Sequence, residues 1–245
     1  MIFLRQPNLL FIKSRKTAGT SLEIALSMSA QPGDIVTRLA LPDELLRQEI
    51  GGPMPFGWAE DEALETEYNH YVQTLIDTGQ TDISNRDLPP QFKQNRAFFN
   101  HMNPAEIVES LGREAFDAAY KISICRHPYE KLVSQAWFKA GNSGQSFEDM
   151  LAHFLAAPQV TNQPLFFWGK KMIVDTFIRY EFLLEDLAAL EQRHHLPIVK
   201  YMPRAKSGYR KDRRPAAQIL SRQQKQQCFE MCRWEFEYFG YDNGL

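Results

Sequence analysis

The sequence predicts an α/β protein in three layers, with a central, mostly parallel β-sheet flanked by helices. Three observations lead there. Short apolar or alternating runs recur, each breaks at a polar residue, and a capped, helix-periodic segment follows each break. Strands that alternate with helices pair in parallel, because the helix carries the chain back to the end it started from. In such folds ligands gather outside the carboxyl ends of the strands.

The first unit is the apolar run Leu9–Ile12, a loop carrying Lys13, Arg15 and Lys16, then Ala18-Gly19 and a helix opened by Thr20-x-x-Glu23. Free backbone N–H groups and the positive end of the helix dipole make such a turn an anion site. It is not a Walker A loop, because Lys16 precedes Gly19 instead of following the last glycine. The expected anion is a phosphate or a sulfate.

The second unit reads as a strand over Ala97–Asn100, then His101. A helix follows with Asn103 as N-cap, Pro104 at its first position and Glu106 completing a capping box. The third alternates at period two over Tyr120–Cys125, turns at Arg126-His127-Pro128, and enters a helix from Pro128 to about Phe138. The fourth runs over Asp175–Tyr180, passes Glu181, and becomes helical from Leu183 to His194. The strand-end rule puts Lys16, His101, Arg126 and Glu181 along one crevice.

Residues 31–96 interrupt this rhythm with six prolines, many acids and the aromatics Phe56, Trp58, Tyr68 and Tyr71. A helix is expected over 59–78. A long insertion of this kind is a natural lid or acceptor-binding surface, or a stabilising helical excursion. Towards the C-terminus, a strand-like piece at Pro197–Tyr201 precedes a basic cluster of Arg204, Lys206, Arg210, Lys211, Arg213 and Arg214. A helix over roughly 215–238 follows.

Composition narrows the function. With 44% hydrophobic and 24% charged residues the chain is an ordinary globular protein, read as one domain over 1–245. A net charge of −2 argues against a nucleic-acid partner, so any basic function is local. No apolar run is long enough for a transmembrane segment, and the N-terminus does not read as a signal peptide. The three cysteines, Cys125, Cys228 and Cys232, form no C-x-x-C and read as packing residues in a reducing, cytoplasmic setting.

These residues together resemble the sulfotransferases that use 3′-phosphoadenosine 5′-phosphosulfate (PAPS), in the carbohydrate-type branch. The branch has a Lys-Thr-Gly-Gly-Thr-Ser loop, which stands here as Lys16-Thr17-Ala18-Gly19-Thr20-Ser21. The second signature is an Arg at a strand end, a Pro turn and a Ser eight residues on, here Arg126, Pro128 and Ser134. The strip Asn100–Ile107, the pair Ile178–Glu181 with Leu184–Asp186, and Phe236–Tyr241 are also similar. The likeness runs from about residue 9 to 241 and is weakest over 31–96.

The resemblance implies a P-loop-like nucleotide-binding fold and transfer of a sulfuryl group from PAPS to an acceptor hydroxyl, by in-line displacement. The acceptor would be a glycan or another hydroxyl compound, the product adenosine 3′,5′-bisphosphate, and no metal would be required. It implies that Lys16 is the catalytic lysine and His101 the general base. Arg15 would add a phosphate contact, and Thr17, Gly19, Thr20 and Ser21 would donate to the 5′-phosphate. Arg126 and Ser134 would hold the 3′-phosphate, and Lys206, Ser207 and Gly208 would close over it. This chemistry needs preorganised cations and N–H donors aimed at the leaving oxygen. Two departures stand out: Arg15 where the branch often has Pro, and Ala18 where a Gly is common, although Ala tolerates positive φ poorly. The alternative is a diverged P-loop nucleotide-binding protein or kinase-like phosphoryl transferase. It lacks an apparent acidic strand end to hold a metal.

Overall fold

In the computed structural model, which describes residues 1–80, 88–94, 96–156, 160–203 and 208–245, the chain opens on two buried strands, β1 (Ile2–Leu4) and β2 (Leu9–Phe11). Helix α1 (Gly19–Ser27) leaves the loop after β2, and β3 (Ile35–Val36) returns beside β1. The 31–96 region supplies α2 (Leu41–Glu49) and α3 (Glu62–Asp77). Helices α4 (Pro104–Leu111) and α5 (Arg113–Ala118) lead into β4 (Tyr120–Cys125). Next come α6 (Pro128–Ser143), α7 (Phe147–Leu155), the single turn α8 (Gln163–Phe166) and a hairpin of β5 (Phe167–Trp168) and β6 (Lys171–Met172). The last sheet strand, β7 (Thr176–Arg179), is followed by α9 (Leu183–His194), α10 (Ala216–Ile219) and α11 (Arg222–Phe239).

The central sheet has the order β3-β1-β2-β4-β7. The pairs β2–β4 and β4–β7 are parallel, and β1 is antiparallel to both its neighbours, so four strands share a direction and β1 opposes them. The link Arg5–Asn8 is too short for a crossover, which forces β1 and β2 into a hairpin. Helices cover both faces. Leu9 and Phe11 join one apolar cluster with Leu22 and Leu26 of α1 and Leu187 and Leu190 of α9. Leu10 and Ile12, one residue out of phase, join a second with Ile107, Phe116 and Leu165. A run apolar on both sides of the pleat is what a strand between two helical layers requires. No helix among the described residues is long and apolar enough to cross a membrane.

Two expected strands are absent. Ala97–Asn100 is a turn, because the insertion takes its polar groups: Phe98 N–H donates to Trp58 O, and the Asn100 carboxamide donates to Arg38 O. Pro197–Tyr201 holds a 3₁₀ turn at Val199–Tyr201, fastened by Glu191, which accepts from the N–H groups of Ile198 and Val199. The third-unit helix runs on to Ser143 and ends at Gly144, in the left-handed region at φ 73°. The expected C-terminal helix is two, α10 and α11, the second started by a Ser221–Gln224 capping box. The insertion aromatics face inward: Trp58, Tyr68 and Phe92 form a separate apolar cluster with Leu41, Val72 and Leu75.

Candidate active site

The carboxyl ends of the parallel strands β2 and β4 lie side by side, and the loops that leave them are tied together. Ile12 N–H donates to Ile122 O at 2.9 Å, and Ser123 Oγ donates to Ile12 O at 2.7 Å. Beyond the ladder, Ser14 Oγ donates to Ile124 O at 2.6 Å. At the top, Arg126 Nη1 donates to the main-chain carbonyl of Lys16 at 3.0 Å. The lysine-bearing and arginine-bearing turns therefore share one crevice.

The first turn winds through two left-handed residues, Lys16 at φ 60° and Ala18 at φ 66°. The second of these is the N-cap of α1 and carries no side-chain cap. The passage from a left-handed Ala18 into the helical Gly19 turns consecutive N–H groups to one side, which is an anion-binding concavity. Gly19 is needed for its size, because a Cβ there would lie 2.9 Å from Lys13 Cγ. The expected Thr20–Glu23 capping arrangement does not form. Glu23 is fully buried and pairs instead with Lys13 and the Met1 amino group. Burial pushes the Glu23 carboxyl up, but the two cations outweigh it and bring it down to about 2.

Among the loop donors, Thr17 is buried and its hydroxyl bonds Ser14 Oγ at 2.7 Å, so it braces the loop from within. Thr20 and Ser21 are buried in the first turn of α1. Arg15 is clamped through its backbone. Its N–H donates to Asn162 Oδ1 at 2.9 Å, and its carbonyl accepts from Asn162 Nδ2 at 3.1 Å. Asn162 is in turn held by Glu235, which also takes the buried ammonium of Lys131. This Lys131–Glu235–Asn162 brace was missed from sequence.

Arg126 lies under Tyr180, with its guanidinium 4.0 Å from the ring centroid, and 3.5 Å from Glu130. Its Nε is buried and, among the described residues, has no hydrogen-bond partner, an orphan donor on a cationic side chain. Glu130 is shared. It accepts from Arg210 Nη1 at 2.5 Å and from the Ala216 N–H at 2.7 Å. Burial pushes the Glu130 carboxyl up, and Ala216, Arg210 and Arg126 hold it below the ordinary glutamate value. Arg210 brings the basic segment back over this site. Next to it Tyr209 packs edge-on against Phe138 at 4.9 Å, and Phe138 carries the Lys16 ammonium 3.9 Å above its ring. Ser134, half-buried, lies one helical turn before Phe138 on α6. Gly208 is exposed, and Lys206 and Ser207 lie outside the described residues.

His101 sits in a turn, not at a strand end, with φ 66°. It still reaches the crevice, because its Nδ1 bonds the Lys13 carbonyl at 3.0 Å. A carbonyl only accepts, so Nδ1 carries the proton and Nε2 keeps its lone pair. Burial, with the adjoining Lys13 charge, pulls the imidazole down to about 3, so it is neutral at pH 7. Glu181 holds the second turn from outside: it accepts the His127 N–H at 2.8 Å, while Arg179 pairs with Asp186. His127 caps α6, accepting the Tyr129 N–H on Nδ1. The three cysteines are free and buried.

The arrangement can hold a polyanion between Lys16, the N-terminus of α1, Arg126 and Arg210, and it presents a neutral imidazole beside them. Compared with protein-family models, with curated proteins and with solved structures, the chain gives no match.

Proposed function

We propose that this chain is a sulfotransferase with a P-loop-like nucleotide-binding fold, moving a sulfuryl group from PAPS to an acceptor hydroxyl. The observation that carries the reading is the hydrogen bond from Arg126 to the Lys16 carbonyl, which ties two cation-bearing turns distant in sequence side by side. A donor with phosphates at both its 3′ and 5′ positions calls for two cation-bearing turns that face one ligand. An orphan Arg126 Nε and an α1 N-terminus without a side-chain cap suit anionic oxygens at either end.

The residues divide the work. The N–H groups of Gly19, Thr20 and Ser21 bind the 5′-phosphate, and Lys16 swings from the Phe138 ring to the oxygen on which charge builds. Arg126, Ser134 and Arg210 bind the 3′-phosphate, with Arg126 and Arg210 leaving Glu130 to do so. His101 Nε2 takes the acceptor proton as the acceptor oxygen bonds to sulfur and the sulfur–phosphate oxygen bond breaks. Once drawn onto the donor, these cations stabilise the departing charge in place of water. At pH 7 the imidazole is neutral with its lone pair open, but a value of about 3 makes it a weak base, and the negative charge of the bound donor would have to raise it towards the working pH.

The test is a thermal-shift panel followed by transfer of labelled sulfate. Adenosine 3′,5′-bisphosphate should stabilise the protein and ATP with magnesium should not. Arg126→Met should weaken the bisphosphate by at least tenfold, as loss of a charge-assisted pair of about 2 kcal/mol requires. Lys16→Ala should abolish turnover with little change in affinity. Equal shifts with both nucleotides would instead favour a phosphoryl transferase and overturn the proposal.

A further inference from the structure

One open cleft of about 640 Å³ lies between the start of α4 and the β5–β6 hairpin. Its walls are Asn103, Pro104, Gln163, Pro164, Phe167 and Trp168, with Lys170 at the rim. Both walls begin where the catalytic loop is anchored. Gln163 follows Asn162, whose side chain clamps Arg15. Asn103 stands two residues after His101, so their Cα atoms are at most about 7 Å apart. Among the described residues, the insertion at 31–96 contributes none to this cleft.

The chemistry of the walls is specific. Two rings and two prolines present flat apolar surface. The Trp168 ring is braced by Phe116, edge-on at 5.6 Å, and by Arg113 at 4.5 Å. Phe167 is braced by Trp234, edge-on at 4.9 Å. The rings are therefore fixed before a ligand arrives. Among the described residues the Gln163 carboxamide makes no hydrogen bond, and Asn103 spends only its carbonyl oxygen, on Ala105 and Glu106, leaving its NH₂ group available. Apolar walls with a few convergent amides are what a small-molecule site offers, and a pyranose has matching parts: an apolar C–H face and paired equatorial hydroxyls.

We propose that this cleft is the acceptor subsite and that it takes a pyranoside, with one ring face on Trp168 and hydroxyls paired with Gln163 and Asn103. The proposal rests on the sulfotransferase reading for the word acceptor; pyranoside binding itself does not depend on it. The bound ring would direct a hydroxyl past Asn103 towards His101, so ring recognition and proton removal lie on one strip of chain.

The test uses calorimetry and saturation-transfer NMR on the full chain, with saturating adenosine 3′,5′-bisphosphate and without it. The probes are methyl β-D-glucopyranoside and methyl β-D-galactopyranoside, with cyclohexanol and phenol as size-matched alcohols. At least one pyranoside should bind, more tightly than either alcohol, and Trp168→Ala and Gln163→Ala should each weaken it by tenfold or more. Both variants should keep the affinity for the bisphosphate within twofold. Should Trp168→Ala fail to fold, Gln163→Ala decides alone, since Gln163 is half-buried and its carboxamide makes no hydrogen bond among the described residues. Pyranoside binding that ignores Gln163→Ala, equal binding of the plain alcohols, or no pyranoside binding would overturn the proposal. Pyranoside binding that responds to the variants in a chain that ignores the bisphosphate would uphold the cleft and remove the nucleotide reading.

Discussion

Replacing His101 with Asn separates its titration from its geometry. Asn tolerates the left-handed φ of 66° found at this position, and its NH₂ group can still donate to the Lys13 carbonyl, but it does not titrate. The magnitude follows from the imidazole. Its folded value is about 3 and its ordinary value 6.5, so the unfolded chain binds the extra proton throughout that window. Stability therefore rises with pH from 3 to 6.5 on this group's account and falls on acidification. Between pH 7 and pH 5 the loss is roughly 2 kcal/mol, from about 1.5 pKa units at 1.36 kcal/mol each. Two other buried groups have separate signatures. Glu23, lowered from 4.5 to about 2, contributes stability that is present above 4.5 and lost as the pH falls through 2, largely below this range. Burial lowers the Met1 amino group from 8.0 to about 6, which adds a slope between those values that is common to both proteins. The assay is urea unfolding of parent and His101→Asn at pH 7, 6 and 5. The two should agree within about 1 kcal/mol at pH 7, and the variant should lose about 2 kcal/mol less by pH 5. Parallel curves would mean that His101 titrates normally, and the buried neutral imidazole would be refuted.

Two further predictions concern the loop and its brace. Ala18→Gly relieves a left-handed alanine at φ 66° but adds freedom to the unfolded chain, so a net gain of about 0.5–1 kcal/mol is expected as a higher urea midpoint. Glu235→Gln leaves the buried Lys131 ammonium without its anion, and a loss of about 3–5 kcal/mol is expected in the same assay. Because Glu235 also holds the Asn162 N–H, the variant should raise the dissociation constant for adenosine 3′,5′-bisphosphate as well.

What the sequence disclosed was local. Strands at Leu9, Tyr120 and Thr176 show as apolar runs broken by a charge, and the Asn103–Glu106 box is visible because its partners stand three residues apart. The same spacing misled at Thr20 and Glu23. A carboxylate three residues after a threonine reads as a capping box, yet the helix is capped at Ala18, two residues before Thr20, and Glu23 turns into the core to meet two cations. Phe98 and Phe99 gave an apolar signal that belongs to packing, not to a ladder, since the neighbouring chain is the insertion. The brace on Arg15 left no trace at all: Asn162 and Glu235 are 73 residues apart, and each alone is an ordinary polar residue.

The convergence of Lys16 and Arg126 has a cause that precedes any ligand. Adjacent parallel strands end at the same level, and the chains leaving them have main-chain groups that the ladder no longer satisfies. Ser14 and Arg126 meet that need across the gap, each donating to a carbonyl of the other turn or its strand. The two turns are thus neighbours on topological grounds, and the choice of ligand rests on what remains after these bonds are made. What remains is Arg126 and Arg210 sharing one carboxylate, Glu130. The two guanidinium groups share one directly paired carboxylate, with Glu181 and Asp212 acting from farther off, and a phosphate dianion offers a second charge and three acceptor oxygens at close range. Exchange of Glu130 for phosphate is therefore favoured in proportion to the ligand's charge. A 3′-hydroxyl at the same place would gain nothing from it. On the proposed reading, that asymmetry would separate the bisphosphate from ATP at this end of the site.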